Sequence, residues 1–275
     1  MSKVIELYPA TGRERAIEGL YLAQRIDQLG SSASPFVYAN FVVSLDGRIG
    51  FVDPATGRDS LPEALTSRHD FRLFLELEAQ ADCLITHGGY LRAIAEGRLD
   101  NVLHIGGNET TRDLGAWRLE QGLPAQPAIA VASASLDFKV PESIQGHGQQ
   151  LFIATTGAAD RARISAFERA GHPVLIAGAG RWVQGKPLVD VLAQQGFHRL
   201  YLVAGPLMLA AMLRDRLLSR LYLTLTHQIL GGEAFHTLFR GPELTPPQRL
   251  RLNSLYLDIA SPPNGGQWFA QFECA

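Results

Sequence analysis

From Pro35 onward short apolar runs alternate with amphipathic stretches: "FVYANFVVS", "SRHDFRLFLELEAQ", "ADCLITH", "YLRAIAEG", "AIAVAS", "LFIATT", "DRARISAFERAG", "PVLIAG", "PLVDVLAQQG", "RLYLVAG", "PLMLAAMLRDRL" and "RLYLTLTHQIL". Near-continuous apolar strands separated by helices are what a parallel sheet covered on both faces requires. The pattern predicts an α/β fold with a mostly parallel central sheet flanked by helices. After "LTLTHQILGG" come "RLRLNSLYLDIA" and "QWFAQFECA" with no helical pattern between them, which predicts antiparallel strands closing a C-terminal edge. Residues 35–275 read as one domain without internal repeats. Ahead of it, Thr11-Gly12-Arg13-Glu14 fits a capping box, and Ile17, Leu20, Tyr21, Ile26 and Leu29 follow at roughly helical spacing before Gly30. Residues 1–34 therefore read as a helical extension, joined to the body by the flexible "GSSASP".

Composition narrows the partners. The 275 residues carry 25 Lys plus Arg against 27 Asp plus Glu, a net charge of −2, so no basic face recommends nucleic acid or anionic lipid. Small molecules are the expected ligands. No apolar run approaches the roughly 18 residues that span a bilayer, and the start lacks a basic-then-apolar leader, which predicts a cytoplasmic protein. Cys83 and Cys274 have no zinc-like spacing, and the eight histidines form no ligand pair, so no metal is expected. Cys83 reads as a core thiol.

In an open α/β sheet, ligands bind beyond the carboxyl ends of the strands, where loops and helix N-termini offer free backbone N–H groups. Five successive strand ends here carry Gly, Ser or Thr: Gly88-Gly89-Tyr90, Ser133, Thr155-Thr156, Gly178-Ala179-Gly180 and Gly205-Pro206. Singly, Ser133 or Thr156 reads as a helix cap. Gly178 and Gly180 make a weak dinucleotide fingerprint, because Val183 occupies the third glycine position. Gly205-Pro206 says more, since Pro at a first helical position leaves the next N–H groups free and Gly lets a phosphate come close. Together the five ends suggest an extended, phosphate-bearing ligand such as a dinucleotide.

The stretch "NFVVSLDGRIG", residues 40–50, poses a different choice. Asp-Gly is a common hairpin signal, so a turn explains Asp46 and Gly47. It does not explain Asn40 and Ser44, two polar residues on one face of an apolar strand, for which a substrate is one partner.

With "YANFVVSLDGRIG" the chain resembles the riboflavin-pathway pyrimidine reductases, the RibD C-terminal-domain family, whose opening strand runs from Asn through three apolar or small residues to Ser-Leu-Asp-Gly. The resemblance continues in "ADCLITHGG", "GAG…PLVDVLAQQGFHRLYLVAGP" and "LYLTLTHQILGGEAFHTLF", covering roughly residues 35–240. It implies a dihydrofolate-reductase-like fold, NADPH as hydride donor and a homodimer. By position it puts Val42, Gly88, Gly89, Tyr90, Ser133 and Gly205-Pro206-Leu207 at the cofactor, with Thr155 and Gly178 added from the strand ends. Asn40, Ser44 and Asp46 would face the nicotinamide and the substrate, Asp46 polarising or protonating it and Ser44 holding the substrate or the carboxamide. His87, beside the glycine turn, is a further candidate for the pyrophosphate.

Departures fall on the substrate side. Glu78 in "ELEAQAD" replaces an arginine that helps hold the substrate phosphate, and an acid there is expected to repel phosphate. The Asp-Pro expected after the glycine turn is missing from "YLRAIAEGRLDN", Val203 replaces an acid, and Ser219-Arg220-Leu221 replaces "vDEl". The expectation is an NADPH-dependent reductase with an altered substrate. A nucleotide-binding protein without catalysis and an authentic 5-amino-6-(5-phosphoribosylamino)uracil reductase are the alternatives. NADH is left open, because Arg161, Arg163 and Arg181 are equal candidates for a 2′-phosphate.

Overall fold

The computed structural model describes residues 2–57, 59–107, 109–259 and 265–274, so Ala260 and Ala275, the last residues of two of the quoted runs, lie outside it. The strands are β1 (Lys3–Tyr8), β2 (Arg13–Ala16), β3 (Phe36–Ser44), β4 (Arg48–Val52), β5 (Asp59–Ser60), β6 (Cys83–His87) and β7 (Ala128–Ala132). They continue with β8 (Leu151–Thr155), β9 (Val174–Ile176), β10 (Arg199–Leu202), β11 (Leu218–Thr226), β12 (Phe235–Thr237), β13 (Leu250–Asp258) and β14 (Gln267–Cys274). The helices are α1 (Arg68–Glu78), α2 (Gly88–Ala95), α3 (Arg112–Glu120), α4 (Glu142–Gln145), α5 (Arg161–Arg169), α6 (Gly185–Gln194) and α7 (Pro206–Arg214).

Two compact units share the chain. One comprises Arg25–Val37 and Leu77–Ala204. Its strands run in the order β10-β6-β7-β8-β9, with parallel pairing at β10/β6, β6/β7, β7/β8 and β8/β9, Leu200 lying level with Cys83, Cys83 with Ala128 and Ile129 with Leu151. These are the continuous apolar runs of the sequence, and their residues are buried throughout β7 and β8. Cys83 is fully buried, and burial pushes its thiol well above the usual range, so it is an inert core group. Arg118 of α3 is also fully buried. Its Nε donates to Pro124 O at 2.8 Å and its Nη1 to Ala79 O and Ala81 O at 2.9 Å each, so the guanidinium ties down carbonyls that no strand or helix satisfies.

The other unit comprises Met1–Gln24, Tyr38–Glu76 and Gly205–Ala275. Its strands run β2-β1-β13-β14-β11-β3, with antiparallel pairing at β1/β2, β1/β13, β13/β14 and β11/β14, and a separate three-stranded sheet runs β12-β4-β5. The α/β class and the antiparallel C-terminal strands are as the pattern predicts. Every helix and strand expected between residues 35 and 226 forms.

The N-terminal segment is a correction. In place of a helix there are β1, β2 and two short 3-10 turns at Leu22–Gln24 and Ile26–Gln28. Thr11 lies in the turn joining the strands and Glu14 on β2, where it takes the Lys3 ammonium at 2.5 Å. The apolar set is right, since Ile17, Tyr21 and Ile26 are buried. The element is wrong because its amides find other acceptors: Gly19 N and Tyr21 N donate to the buried Glu76 carboxylate at 2.6 and 2.9 Å, and Ile26 N donates to Gln80 Oε1 at 2.8 Å. A segment whose N–H groups are satisfied by distant side chains has no need of helical hydrogen bonds.

Candidate active site

The Ser-Leu-Asp-Gly stretch closes β3 with a turn, Gly47 N donating to Ser44 O at 2.9 Å. It is not a hairpin, because β4 leaves to pair with β12 and β5. Ser44 is buried at the strand end, on the face shared by Val42 and Asn40. Its hydroxyl donates to Asp46 Oδ1 at 2.5 Å and accepts from Arg48 N at 3.0 Å. The other acceptor positions of Asp46 take Leu230 N at 3.3 Å, Gly231 N at 2.8 Å and Arg48 Nη1 at 2.7 Å.

Donors thus surround this carboxylate. The Ser44 hydroxyl, followed by the Gly231 and Leu230 amides and the Arg48 charge, outweighs desolvation and holds Asp46 at about 2. A carboxylate ionised throughout the neutral range has no proton of its own to give, so of the roles expected for Asp46 this environment favours polarising a substrate over protonating it directly. What it presents is a fixed negative charge. Ser44→Ala removes the largest of these influences, so the Asp46 titration midpoint is expected to rise from about 2 toward the ordinary value of 3.8. A carbon-13 NMR titration of the Asp46 carboxyl reads this directly, and an unmoved midpoint contradicts it.

In the parallel unit the strand ends line up. His87 is level with Ala132, Ala132 with Ala154 and Thr155 with Ile176, so Gly88, Ser133 and Thr155 form one row across β6, β7 and β8. Thr155 is fully buried, and its Oγ1 has no hydrogen-bond partner among the described residues; the same holds for Thr86 Oγ1, two residues before Gly88. Ser133 is not a helix cap, as no helix follows it; its Oγ accepts from Leu136 N at 3.1 Å. Gly88 is required by packing, because a Cβ there would come 2.8 Å from Phe138 Cδ1 and 3.0 Å from Ser133 Oγ. Gly178, buried at the end of β9, would likewise meet Gln184 Cγ at 3.1 Å.

Tyr90 uses its hydroxyl within the chain, donating to Asp100 O at 2.7 Å and accepting from Val102 N at 3.0 Å. Burial pushes it up to about 12, so it remains a neutral phenol. His87 is exposed and packs where a Cβ on Gly89 would fall, 2.9 Å from its Nδ1. Of the three arginines proposed for a 2′-phosphate, Arg163 is spent on Ser135 O at 2.8 Å, Arg181 lies 5.0 Å from the ring of its neighbour Trp182, and Arg161 opens α5.

In the antiparallel unit, Gly205 precedes α7 with Pro206 in the first turn and no side chain capping it. A Cβ on Gly205 would meet nothing within 4 Å, and its φ of −74° suits any residue, so neither packing nor backbone geometry demands glycine there. Leu207 is exposed beside it.

Glu78 is a second correction. It is fully buried at the end of α1, neither carboxylate oxygen has a hydrogen-bond partner among the described residues, and burial raises it well above the carboxylate range despite the nearby Arg118 charge. An acid with no exposed surface is not presented to a ligand's phosphate. Sequence reading also missed groups that complete the Asp46 site, namely Arg48 and the Leu230 and Gly231 amides. Their only signal was proximity in the motif for Arg48 and the glycine pair in "QILGGEAF" for the loop.

This mixed α/β chain belongs to the RibD C-terminal domain family, which matches residues 35–259. It is similar in structure to a pyrimidine reductase-like protein from Corynebacterium diphtheriae, with a TM-score of 0.67 and 19% identity over 95% of this chain and 99% of that one. The riboflavin biosynthesis reductase of Saccharomyces cerevisiae gives 0.57 and 14% over 94% and 99%, and Acinetobacter baumannii RibD gives 0.59 and 15% over 88% of this chain and 58% of that one. At these identities the likeness speaks for the fold alone. No curated protein matches the sequence.

Proposed function

We propose that the chain is an NADPH-dependent reductase that passes hydride to a small heterocyclic substrate and works as a homodimer. The observation that carries this reading is Gly205, a glycine with open space over it at the uncapped start of α7, where a phosphate could approach the backbone. The buried hydroxyl of Thr155, without a hydrogen-bond partner among the described residues, also fits a polar ligand at the strand ends. A bound nicotinamide nucleotide supplies the hydride, and the protein's part is to position and to set the local charge.

In this reading Gly205, Pro206 and Leu207 hold a phosphate through the α7 amides. The parallel unit, taken by itself, offers Gly88, Gly89, Tyr90, Ser133, Thr155 and Gly178 as backbone and hydroxyl groups for a nucleotide, with Arg161 as the candidate for a 2′-phosphate. Asn40, Val42 and Ser44 face the nicotinamide and the substrate. Asp46 provides a fixed anion beside them and takes no part in proton transfer.

Burial of Glu78 favours a second substrate reading. Without a surface acid to repel phosphate, the phosphoribosylamino-pyrimidine of riboflavin synthesis regains standing. Growth rescue of a strain lacking that reductase would select it, whereas oxidation of NADPH by other pteridines, pyrimidines or quinones alone would select the altered substrate.

Titration with NADPH and NADH, following the fluorescence of the reduced nicotinamide, tests the common part. NADPH is expected to bind more tightly, and Gly205→Val to weaken it by about tenfold, roughly 1.4 kcal/mol. Because a Cβ there meets no protein atom within 4 Å, thermal unfolding should stay close to that of the parent chain. Failure of both nucleotides to bind at near-millimolar concentration overturns the reading.

A further inference from the structure

We propose that Arg48, clamped against the ring of Phe235, is the positioning residue that holds the Asp46 carboxylate in place, which makes the three-stranded sheet β12-β4-β5 a part of the site. The functional meaning of this role rests on the reductase reading; the geometry does not. Arg48 opens β4, and in the sequence it looks like a solvated cation after an Asp-Gly turn. Its side chain is only 16% exposed. Nη1 donates to Asp46 Oδ2 at 2.7 Å and to Asp46 O at 3.0 Å, and Nη2 donates to Gly232 O at 3.3 Å. The guanidinium carbon lies 4.2 Å from the centroid of Phe235, which opens β12 and pairs with Phe51 of β4.

One side chain therefore joins three segments: the turn after β3, the loop at residues 230–232 and, through the Phe235 ring, the start of β12. The loop's path is itself favoured by Gly232, where a φ of +89° and the 2.8 Å approach of a notional Cβ to Phe51 Cε1 would strain any other residue. Asp46 receives Leu230 N and Gly231 N from that same loop. Holding Gly232 O and Asp46 Oδ2 on one planar fork keeps the donors and the carboxylate in register.

The fork matters more than the charge. A lysine supplies a point charge without the planar geometry that bonds to two segments while stacking on a ring. The alternative role, a cation awaiting an anionic substrate, fits poorly, because the charge is already opposed by Asp46 and the donors are already aimed at Asp46 and Gly232.

Three variants of the full chain, Arg48→Met, Arg48→Lys and Phe235→Leu, test this by NMR. The readouts are the Asp46 carboxyl titration and hydrogen exchange at the Leu230 and Gly231 amides. Arg48→Met is expected to raise the Asp46 midpoint and to speed exchange at both amides roughly tenfold or more. Arg48→Lys should restore the midpoint in part and the amide protection not at all, with Phe235→Leu, the milder change, moving both readouts the same way. A merely structural arginine would lower the unfolding temperature and leave the Asp46 midpoint alone. An unchanged midpoint and unchanged amide protection in folded Arg48→Met or Phe235→Leu overturn the proposal. Nucleotide titration of the parent runs alongside: its failure removes the reductase reading and leaves these readouts intact.

Discussion

An Asp46→Asn chain is expected to bind reduced nicotinamide nucleotide within a few-fold of the parent and to pass hydride to an accepting substrate about 10²-fold more slowly, the lower end of what one well-placed polar group contributes. Every group around Asp46 is a donor: the Ser44 hydroxyl, the Leu230 and Gly231 amides and the Arg48 guanidinium. An asparagine replaces one acceptor by an N–H donor, so two donors must face each other or the loop must move. The fixed negative charge disappears as well. The nucleotide contacts proposed in the parallel unit and at Gly205 do not involve this carboxylate, which is why binding should survive.

The pH dependence sharpens the test. With Asp46 held at about 2, the parent has no ionisation from this group between pH 5 and 9, and its hydride transfer rate should show no limb there that Asp46→Asn abolishes. A limb in that range that vanishes in the variant would falsify the fixed-anion role and return Asp46 to proton transfer. The substrate for this measurement comes from the panel of pteridines, pyrimidines and quinones.

Much of this architecture is legible in the sequence because a buried parallel strand has few other ways to look. Runs such as "ADCLIT" and "AIAVA" are apolar on both faces and bounded by helical patterns, and they become β6 and β7. The region around Tyr21 misled for a physical reason. Apolar residues three to five apart serve a helix or a series of turns equally well, and the deciding acceptors, Glu76 and Gln80, lie more than fifty residues away. Distance in sequence also hid the surroundings of Asp46, where the turn residues are adjacent but Leu230 and Gly231 are about 185 positions off. Glu78 misled through its neighbours: "ELEAQ" looks like a solvated helix end, yet Glu76, Glu78 and Gln80 are all buried. Pattern reading assigns polar residues to the surface, and α1 of this chain ends in an interior polar stretch.

That polar interior carries a stability prediction. Asp70 of α1 is buried, accepts the Thr224 hydroxyl at 2.5 Å, and is pushed up to about 6 by desolvation, with the Thr224 bond opposing. An acid raised in the folded state binds protons that the unfolded chain releases, so its contribution is most favourable below about pH 4. It is lost as pH rises through about 6. The separation between about 6 and the ordinary 3.8 corresponds to roughly 3 kcal/mol of destabilisation at pH 8, about half of which is already present at pH 5. Asp70→Asn keeps an acceptor for Thr224 and cannot ionise, so it resembles the protonated acid. Urea unfolding at pH 5 and pH 8 should find the variant more stable at pH 8, its advantage over the parent growing by roughly 1 kcal/mol between the two. Glu76, buried on the same helix and raised by desolvation, tilts both chains alike, which leaves the difference to Asp70. An advantage that is equal at the two pH values would mean that Asp70 ionises in the fold as freely as in water, and that the Thr224 hydroxyl and its surroundings already compensate its burial.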